Sequence, residues 1–391
     1  FFLKNELGKA VSHYEEARFF ACQSYNYSVA LDAINKLGII HAMKGELQQA
    51  RALYNEGISL AESWGKSKPL IAVAPLYIGI GALAYEVDDR KKAEIYFEEA
   101  LKIGRQSGDC YPIVYAVIGS TWLKRFSESD KALQEQLNTV IDCIKKHPNS
   151  NITRRWFAFQ ARLALFQGDL AGARRWANYF LQYHREADFT CARAYEFLTL
   201  ARIRLRSGDN GITDWLMQWF PLAQQDGRER IMIEISLLHA IAKNAMGKTS
   251  QAVATFKNTI AMSASKGYIH LIVDEGYPVY LLLNKIDQQG FMTKTVQKLL
   301  SVSERIVAHT AEQHREYPAL EQDDPRIPSP LSPREVEVLG LAALGLTNKE
   351  IALQLHLSAG TIKWHMSNIF TKLEAKNRLH AVEKARQKKL L

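Results

Sequence analysis

Residues 87–108 read VDDRKKAEIYFEEALKIGRQSG, and this stretch decides the fold of most of the chain. A short polar turn opens it. A helix-length segment follows that begins with a small residue, Ala93, and carries apolar residues at helical spacing. The pattern recurs upstream as KGELQQARALYNEGISLAE (44–62). Downstream it recurs as SESDKALQEQLNTVIDCI (127–144), QGDLAGARRWANYFLQY (167–183), SGDNGITDWLMQWF (207–220) and MGKTSQAVATFKNTIAMSASKG (246–267). From turn to turn, at Gly45, Asp88, Glu128, Gly168, Gly208 and Gly247, the steps are 43, 40, 40, 40 and 39 residues. A second apolar-periodic segment precedes each turn, such as LDAINKLGIIHAM or RWFAFQARLALF, so each period holds two helices.

Within the second helix of each pair a small residue recurs at Ala50, Ala93, Ala132, Ala173 and Ala252, with Thr213 the odd member. Eight residues on stands an aliphatic, Ile58, Leu101, Val140, Leu181 or Ile260, with Pro221 departing. Small residues let helices approach, and the aliphatics are expected to fill the seam. One helical pair cannot bury its own apolar face, but stacked pairs can, giving a superhelix with a concave surface. After Gly267, GYIHLIVDEGYPVYLLLNKI and TKTVQKLLSVSERIVAHTAEQ are expected to form two closing helices. This body resembles tetratricopeptide-like helical repeats with a period longer than the standard one of that family.

The chain has 391 residues, 47% of them hydrophobic, which excludes a disordered or collagen-like protein. It opens on Phe1 and is read as an excerpt of a longer protein. Its four cysteines, Cys22, Cys110, Cys143 and Cys191, are far apart in sequence and fit buried thiols of a cytoplasmic protein better than disulfides or a zinc site. Leu70 to Tyr85 is uncharged and apolar, but sixteen residues are short for a ~30 Å hydrocarbon core, and a buried repeat helix is expected there rather than a membrane span. MGKTS (246–250) ends like a phosphate-binding loop, yet Ala242 stands where that loop needs glycine, and the motif coincides with a repeat turn. No Ser/His/Asp, Cys/His or paired-carboxylate set has a usable local spacing, so no catalytic, metal or cofactor residue is assigned and no enzyme is expected. Trp122, Trp156, Trp176, Trp215 and Trp219 are read as core residues.

Five of the eleven prolines fall between Pro318 and Pro333, which reads as a linker. The expected domains are a repeat body over 1–310, a Pro-rich linker over 311–330 and a small domain over 331–391. The net charge is +9, and the stretch from Leu331 to Leu391 carries ten Lys/Arg against five Asp/Glu. A compact basic module on a nearly balanced body suits a polyanionic partner.

That module announces its helices one by one. Ser332, Pro333 and Glu335 read as a capping box with proline in the first helical position, flanked by Leu331 and Val336. Thr347 and Glu350 form a second box, flanked by Leu346 and Ile351. Ser358 caps a third helix, flanked by Leu357 and Ile362, and a fourth begins at Asn377. Ile362, Met366, Ile369, Phe370 and Leu373 share one face of the third helix and are expected to pack on Val338, Leu339, Ile351, Ala352 and Leu355. Lys363, Trp364, Ser367 and Thr371 fall on the opposite face, free to enter a major groove. Glu335 and Arg378 are expected to form an internal ion pair.

The run EVEVLGLAALGLTNKEIALQLHLSAGTIKWHMSNIFTKLEAKNRLHAV (335–382) closely resembles the LuxR-type helix-turn-helix domain. The resemblance implies base contacts from Lys363, Trp364 and Ser367. It implies phosphate contacts from Thr347, Asn348, Ser358, Thr361 and Lys372. Trp364 departs from the small aliphatic common in the family and Ser367 from a Lys or Arg, which leaves base preference open; Trp364 also fits a contact with a neighbouring subunit or the repeat body. Long-period helical repeats ahead of such a domain resemble the C-terminal part of the large ATP-binding LuxR regulators of the maltose-regulon-activator type, and GYIHLIVDEG is similar to a segment near the end of their repeats. The resemblance implies an all-α protein: a tetratricopeptide-like superhelix followed by a four-helix LuxR-type domain. It implies a cytoplasmic transcription regulator, of activator type, that binds double-stranded DNA as a homodimer or oligomer, contacts RNA polymerase and senses a small effector or regulatory protein. No cofactor is expected on this chain, and ATP enters only through an upstream module that the sequence does not contain. The alternative is a helical-repeat scaffold with a nonspecific nucleic-acid-binding tail.

Overall fold

The computed structural model describes residues 7–64, 71–127, 130–148, 150–185, 189–209, 211–290, 293–313, 333–355, 362, 366, 369–370, 373 and 375–387. Every regular element among them is helical. The chain divides into two compact units, Phe1–Val307 and Ala308–Leu391.

The first unit is built of helical pairs: α1 (Leu7–Gln23), α2 (Tyr27–Met43), α3 (Leu47–Trp64), α4 (Ala74–Glu86), α5 (Arg90–Ser107) and α6 (Cys110–Lys124). There follow α7 (Asp130–Asn138), α8 (Ile141–Lys146), α9 (Asn151–Phe166), α10 (Leu170–Tyr183), α11 (Ala194–Arg206), α12 (Ile212–Met217) and α13 (Phe220–Gln225). The unit ends with α14 (Glu229–Ala245), α15 (Thr249–Ala264), α16 (His270–Val273), α17 (Tyr277–Gln288) and the greater part of α18 (Lys294–Gln313). The apolar stretch before Tyr85 becomes α4, packed on α3, α5 and α6, and no helix of the described residues is long and apolar enough to cross a membrane.

Five of the six repeat turns share one construction; Glu128, in the sixth, lies outside the described residues. At each, the residue two past the helix sits at positive φ, and the next amide donates to the carbonyl five residues back: Glu46 to His41, Asp89 to Ala84, Asp169 to Ala164, Asp209 to Arg204 and Lys248 to Lys243. Four of these left-handed positions are glycine; the fifth is Asp88, at φ 70°. The phosphate-loop-like MGKTS is one of these turns, with Gly247 at φ 75° and α15 starting at Thr249.

The small residues at Ala50, Ala93, Ala173 and Ala252 are fully buried, as the repeat requires. The expected aliphatic seam eight residues on holds only in part: Val140 and Ile260 are buried, whereas Leu181 is 39% exposed. In four pairs the position seven residues on is buried: Gly57, Ala100, Phe180 and Thr259. In the third and fifth pairs the register slips by one, so that Leu133 with Val140, and Ile212 with Trp219, replace the pairs headed by Ala132 and Thr213. Those second helices are also broken in two, α7/α8 and α12/α13. Pro221 explains the second break, since it lacks the amide that would bond back to Met217.

Two aromatic side chains lock neighbouring pairs. Tyr54 lies over Gly38 and Gly79, where an added Cβ would fall 2.4 and 2.3 Å from its ring. One repeat later Phe97 lies over Gly81 and Gly119, at 3.0 and 2.5 Å.

The pairs wind until the last meets the first. α14 packs on α2, and one apolar core joins Leu31, Ile34 and Leu76 to Ile233, Phe256, Leu282 and Ile306. The first expected closing helix is not continuous. It breaks at Gly276, whose φ of 70° and ψ of −136° suit glycine alone, and restarts with Pro278 in its first turn as α17. The break frees residues 268–275 to run along the inside of the superhelix.

In the second unit, α19 (Pro333–Ala343), α20 (Asn348–Gln354) and α21 (Arg378–Gln387) surround a core that includes Ile362, Met366, Ile369 and Leu373. Val338, Leu339, Ile351 and Ala352 are buried against them, with Leu355 and Phe370 partly so, as the helical spacing requires. Gly345, at φ 88°, ends α19, with Leu346 N–H donating to the Leu341 carbonyl. Asn377 Oδ1 accepts from His380 N at 2.9 Å and starts α21.

Candidate effector channel and nucleic-acid interface

At the helix-turn-helix, Thr347 Oγ1 accepts from Glu350 N while Glu350 Oε2 accepts from Thr347 N at 2.6 Å, a complete capping box. Thr347→Ala is expected to destabilise this short helix by about 1 kcal/mol. Hydrogen exchange checks it: the Glu350 amide should exchange severalfold faster, and unchanged protection would remove the cap from the account. Asn348 is half-buried, and its Oδ1 lies 3.4 Å from Arg378 Nη1. Arg378 Nη2 donates to the carbonyls of Ala342, at 3.0 Å, and Leu346, so it ties the end of α19 to α21. The expected ion pair of Arg378 with Glu335 falls on a side chain outside the described residues. Lys363, Trp364, Ser367, Ser358, Thr361 and Lys372 also lie outside the described residues, as do Ser332 and its box.

The second site is the interior of the superhelix. The first helix of each pair turns one face inward, and together these faces enclose a channel of 1240 Å³. α6 contributes Tyr111, Tyr115, Gly119 and Trp122, and α9 contributes Ile152, Arg155, Phe159 and Arg162, both at helical spacing. α11 adds Tyr195 and Arg202, and α14 adds Arg230 and Glu234. Most small-molecule pockets enclose ~300–1,000 Å³, so this one has room for a sizeable ligand. Trp156, Trp215 and Trp219 are core, as expected, but Trp122 faces the channel.

The segment 268–275 closes one side. Tyr268 donates its hydroxyl to the Ala42 carbonyl at 3.0 Å, Ile269 N donates to the Glu86 carbonyl at 3.0 Å, and Leu271 N donates to Glu86 Oε1. Asp274 is the hub. It accepts from Arg125 Nη2 at 2.8 Å, Trp122 Nε1 at 2.9 Å, the Tyr85 hydroxyl at 2.8 Å and His270 Nδ1 at 2.9 Å. Burial opposes its charge, but Arg125 and His270 outweigh burial and hold its carboxyl well below the usual carboxylate range. Burial likewise disfavours the His270 imidazolium, yet Asp274 and Asp88 raise it to about 9. Asp88 accepts from His270 Nε2 at 3.1 Å and from Arg305, and though burial pushes its carboxyl up, these partners bring it to about 2. This accounts for aspartate in a turn where four other repeats have glycine: the left-handed backbone tolerates it, and its carboxylate is held by His270 and Arg305. Glu275 completes the segment by accepting from Arg202 Nε at 2.8 Å, while Arg202 Nη2 reaches Glu234 at 2.7 Å.

Reading the sequence alone leaves all of these repeat residues as structural. Two signals bear on them: the Asp88 exception in the turn series, and three ionisable residues, His270, Asp274 and Glu275, in an otherwise apolar run. A further pairing hidden in the sequence is Cys143 with Cys110, which share one core cluster; burial, with Cys110 beside it, pushes the Cys143 thiol up to about 12.

Residues 1–289 match the family described as MalT-like TPR region, and residues 329–385 match the luxR family of bacterial regulatory proteins. The chain belongs to the MalT-like TPR family and carries a luxR-family domain at its C-terminal end. Among similar proteins, the HTH-type transcriptional regulator MalT of Cronobacter sakazakii is 27% identical over 247 residues, 56% of this chain and 25% of that protein. The transcriptional regulatory protein YvfU of Bacillus subtilis is 52% identical over 60 residues, 15% of this chain and 30% of that protein. The transcriptional regulatory protein DesR of Bacillus subtilis is 31% identical over 149 residues, 36% of this chain and 69% of that protein. The chain thus spans about a quarter of the MalT relative and under a third of YvfU.

Proposed function

We propose that the chain is a sequence-specific regulator of transcription, of activator type, that binds double-stranded DNA through its second unit and senses a small effector or partner protein through its repeat channel. The observation that carries it is the burial of Ile362, Met366, Ile369 and Leu373 within a region that matches the luxR family. Helical spacing then assigns Lys363, Trp364 and Ser367 to the opposite face, as base-reading residues. Thr347, Asn348, Ser358, Thr361 and Lys372 take the phosphate-facing role. One short helix-turn-helix buries too little surface for tight specific binding, which favours paired half-sites and a dimer on DNA. Contact with RNA polymerase and a cytoplasmic location follow from the activator role.

The test is binding of the chain to an operator selected from a random duplex pool, against a scrambled duplex, at two salt concentrations. Specific binding survives the higher salt with its preference intact. Equal affinities with a steep salt slope would instead describe a scaffold with a nonspecific basic tail. Lys363→Ala is expected to cost about 1–3 kcal/mol of operator binding and leave the repeats folded. An unchanged operator affinity would remove Lys363 from the base-reading face.

A further inference from the structure

We propose that the channel binds an organic anion, a carboxylate or phosphate on a ring-bearing small molecule, between Arg155, Arg162 and an aromatic wall of Tyr111, Tyr115, Trp122 and Tyr195. This rests on the effector-sensing reading above and names the chemistry of the ligand.

The charges facing the channel do not cancel one another. Its carboxylates are all engaged by the protein: Glu86 by Arg230 at 2.9 Å, Glu234 and Glu275 by Arg202, and Asp274 by Arg125 and His270. Of the cations, Lys36 lies 3.6 Å from Asp32. Arg155 and Arg162 remain, and among the described residues no carboxylate comes within 4.0 Å of either. Glu196 lies in the field of Arg155, but burial raises its carboxyl, which blunts it as a counter-charge; Glu234 lies in the field of Arg162, but its Oε1 is already bonded by Arg202. Arg155 Nε is buried and has no hydrogen-bond acceptor. A partly desolvated guanidinium without an anion is a costly arrangement that an incoming anion relieves, and its planar fork matches carboxylate and phosphate oxygens.

The geometry also favours a ring. Arg155 and Arg162 are seven residues apart on α9, hence on one face and separated by about 10 Å along the axis. Both stand over the ring of Tyr195, at 3.4 and 5.1 Å, and Arg162 also faces Trp122 at 5.4 Å. Tyr111 and Tyr115 pack 4.6 Å apart beside them. A planar ligand stacked on this wall reaches a guanidinium with its anionic group. Trp122 also donates to Asp274, so the same wall adjoins the segment that closes the channel.

The test uses the full chain, with thermal stabilisation and calorimetry against matched pairs at millimolar concentration. One arm sets 4-hydroxybenzoate against 4-hydroxybenzamide. The other sets glucose 6-phosphate and uridine monophosphate against glucose and uridine. The expected result is that a charged member stabilises the protein and its neutral counterpart does not; the responding arm distinguishes carboxylate from phosphate. Arg155→Gln and Arg162→Gln should each weaken that binding at least tenfold, whereas Arg155→Lys keeps most of it. Unliganded melting temperatures of the three variants establish that they fold. Neutral members binding as tightly as charged ones, with the glutamine variants unaffected, would overturn the anion proposal and leave effector sensing standing. No stabilisation by any member, charged or neutral, would count against both.

Discussion

Asp274→Asn is expected to destabilise the repeat unit by about 3–5 kcal/mol, because it leaves buried cations without their counter-charge. The Arg125 side chain has no exposed surface, and that of Asp274 is 10% exposed. Asparagine keeps the shape and one acceptor oxygen but removes the charge that both Arg125 and His270 face. Urea unfolding of the wild type and the variant at neutral pH measures the loss. A change below about 1 kcal/mol, no more than a solvent-exposed pair contributes, would mean that Asp274 is not the hub.

A pH series adds a second readout. The folded-state pKa of His270 is raised to about 9, so its contribution is fully present below the unfolded value near 6.5 and lost as pH rises through 9. Asp274 and Asp88 are lowered, so their contributions are present above the unfolded carboxylate range and lost in acid. In the variant, Asp88 still holds the ring, but the closer partner has lost its charge, and the alkaline loss should begin at lower pH. An alkaline limb that does not move would separate His270 from Asp274.

Phe97→Ala is expected to cost about 3–5 kcal/mol, toward the upper end of the range for core aromatics. The cost of such a truncation depends on whether the surroundings collapse into the space. Phe97 is 4% exposed, and its ring is bounded by the glycine backbones of Gly81 on α4 and Gly119 on α6. Neither glycine carries a side chain that can swing inward, and Phe97 lines the channel, so the vacated space joins it and is not refilled. Equilibrium denaturation measures the loss, and a value well below that range would show that α4 and α6 close up after all.

The repeat was legible because turn chemistry and small residues recur at nearly constant spacing, and each turn leaves a local trace. The seam was legible only in part: Ile58 and Leu101 do pack against the core, but the buried positions beside them are the inconspicuous Gly57 and Ala100, which no hydrophobic pattern marks. The glycine notches were unreadable for a similar reason: Gly79 and Gly81 gain meaning only when Tyr54 and Phe97 are brought against them. In the second unit, capping at Thr347 and the core spacing from Ile362 to Leu373 were local and therefore readable. The partners of Arg378 are carbonyls, which no sequence pattern marks. The channel was the least legible part. Arg125 and Asp274 are separated by 149 residues, and Arg202 and Glu275 by 73, so no local window contains either pair.

The inward segment at 268–275 also sets a timetable for synthesis. An open stack of helical pairs can add one pair at a time to a finished template as the chain emerges. Here Arg125 leaves the ribosome 149 residues before its carboxylate partner. At ~5–20 residues per second that is a wait on the order of ten to thirty seconds. During that interval the early pairs carry an unmatched interior, so the nascent body is completed in a late, concerted step rather than pair by pair.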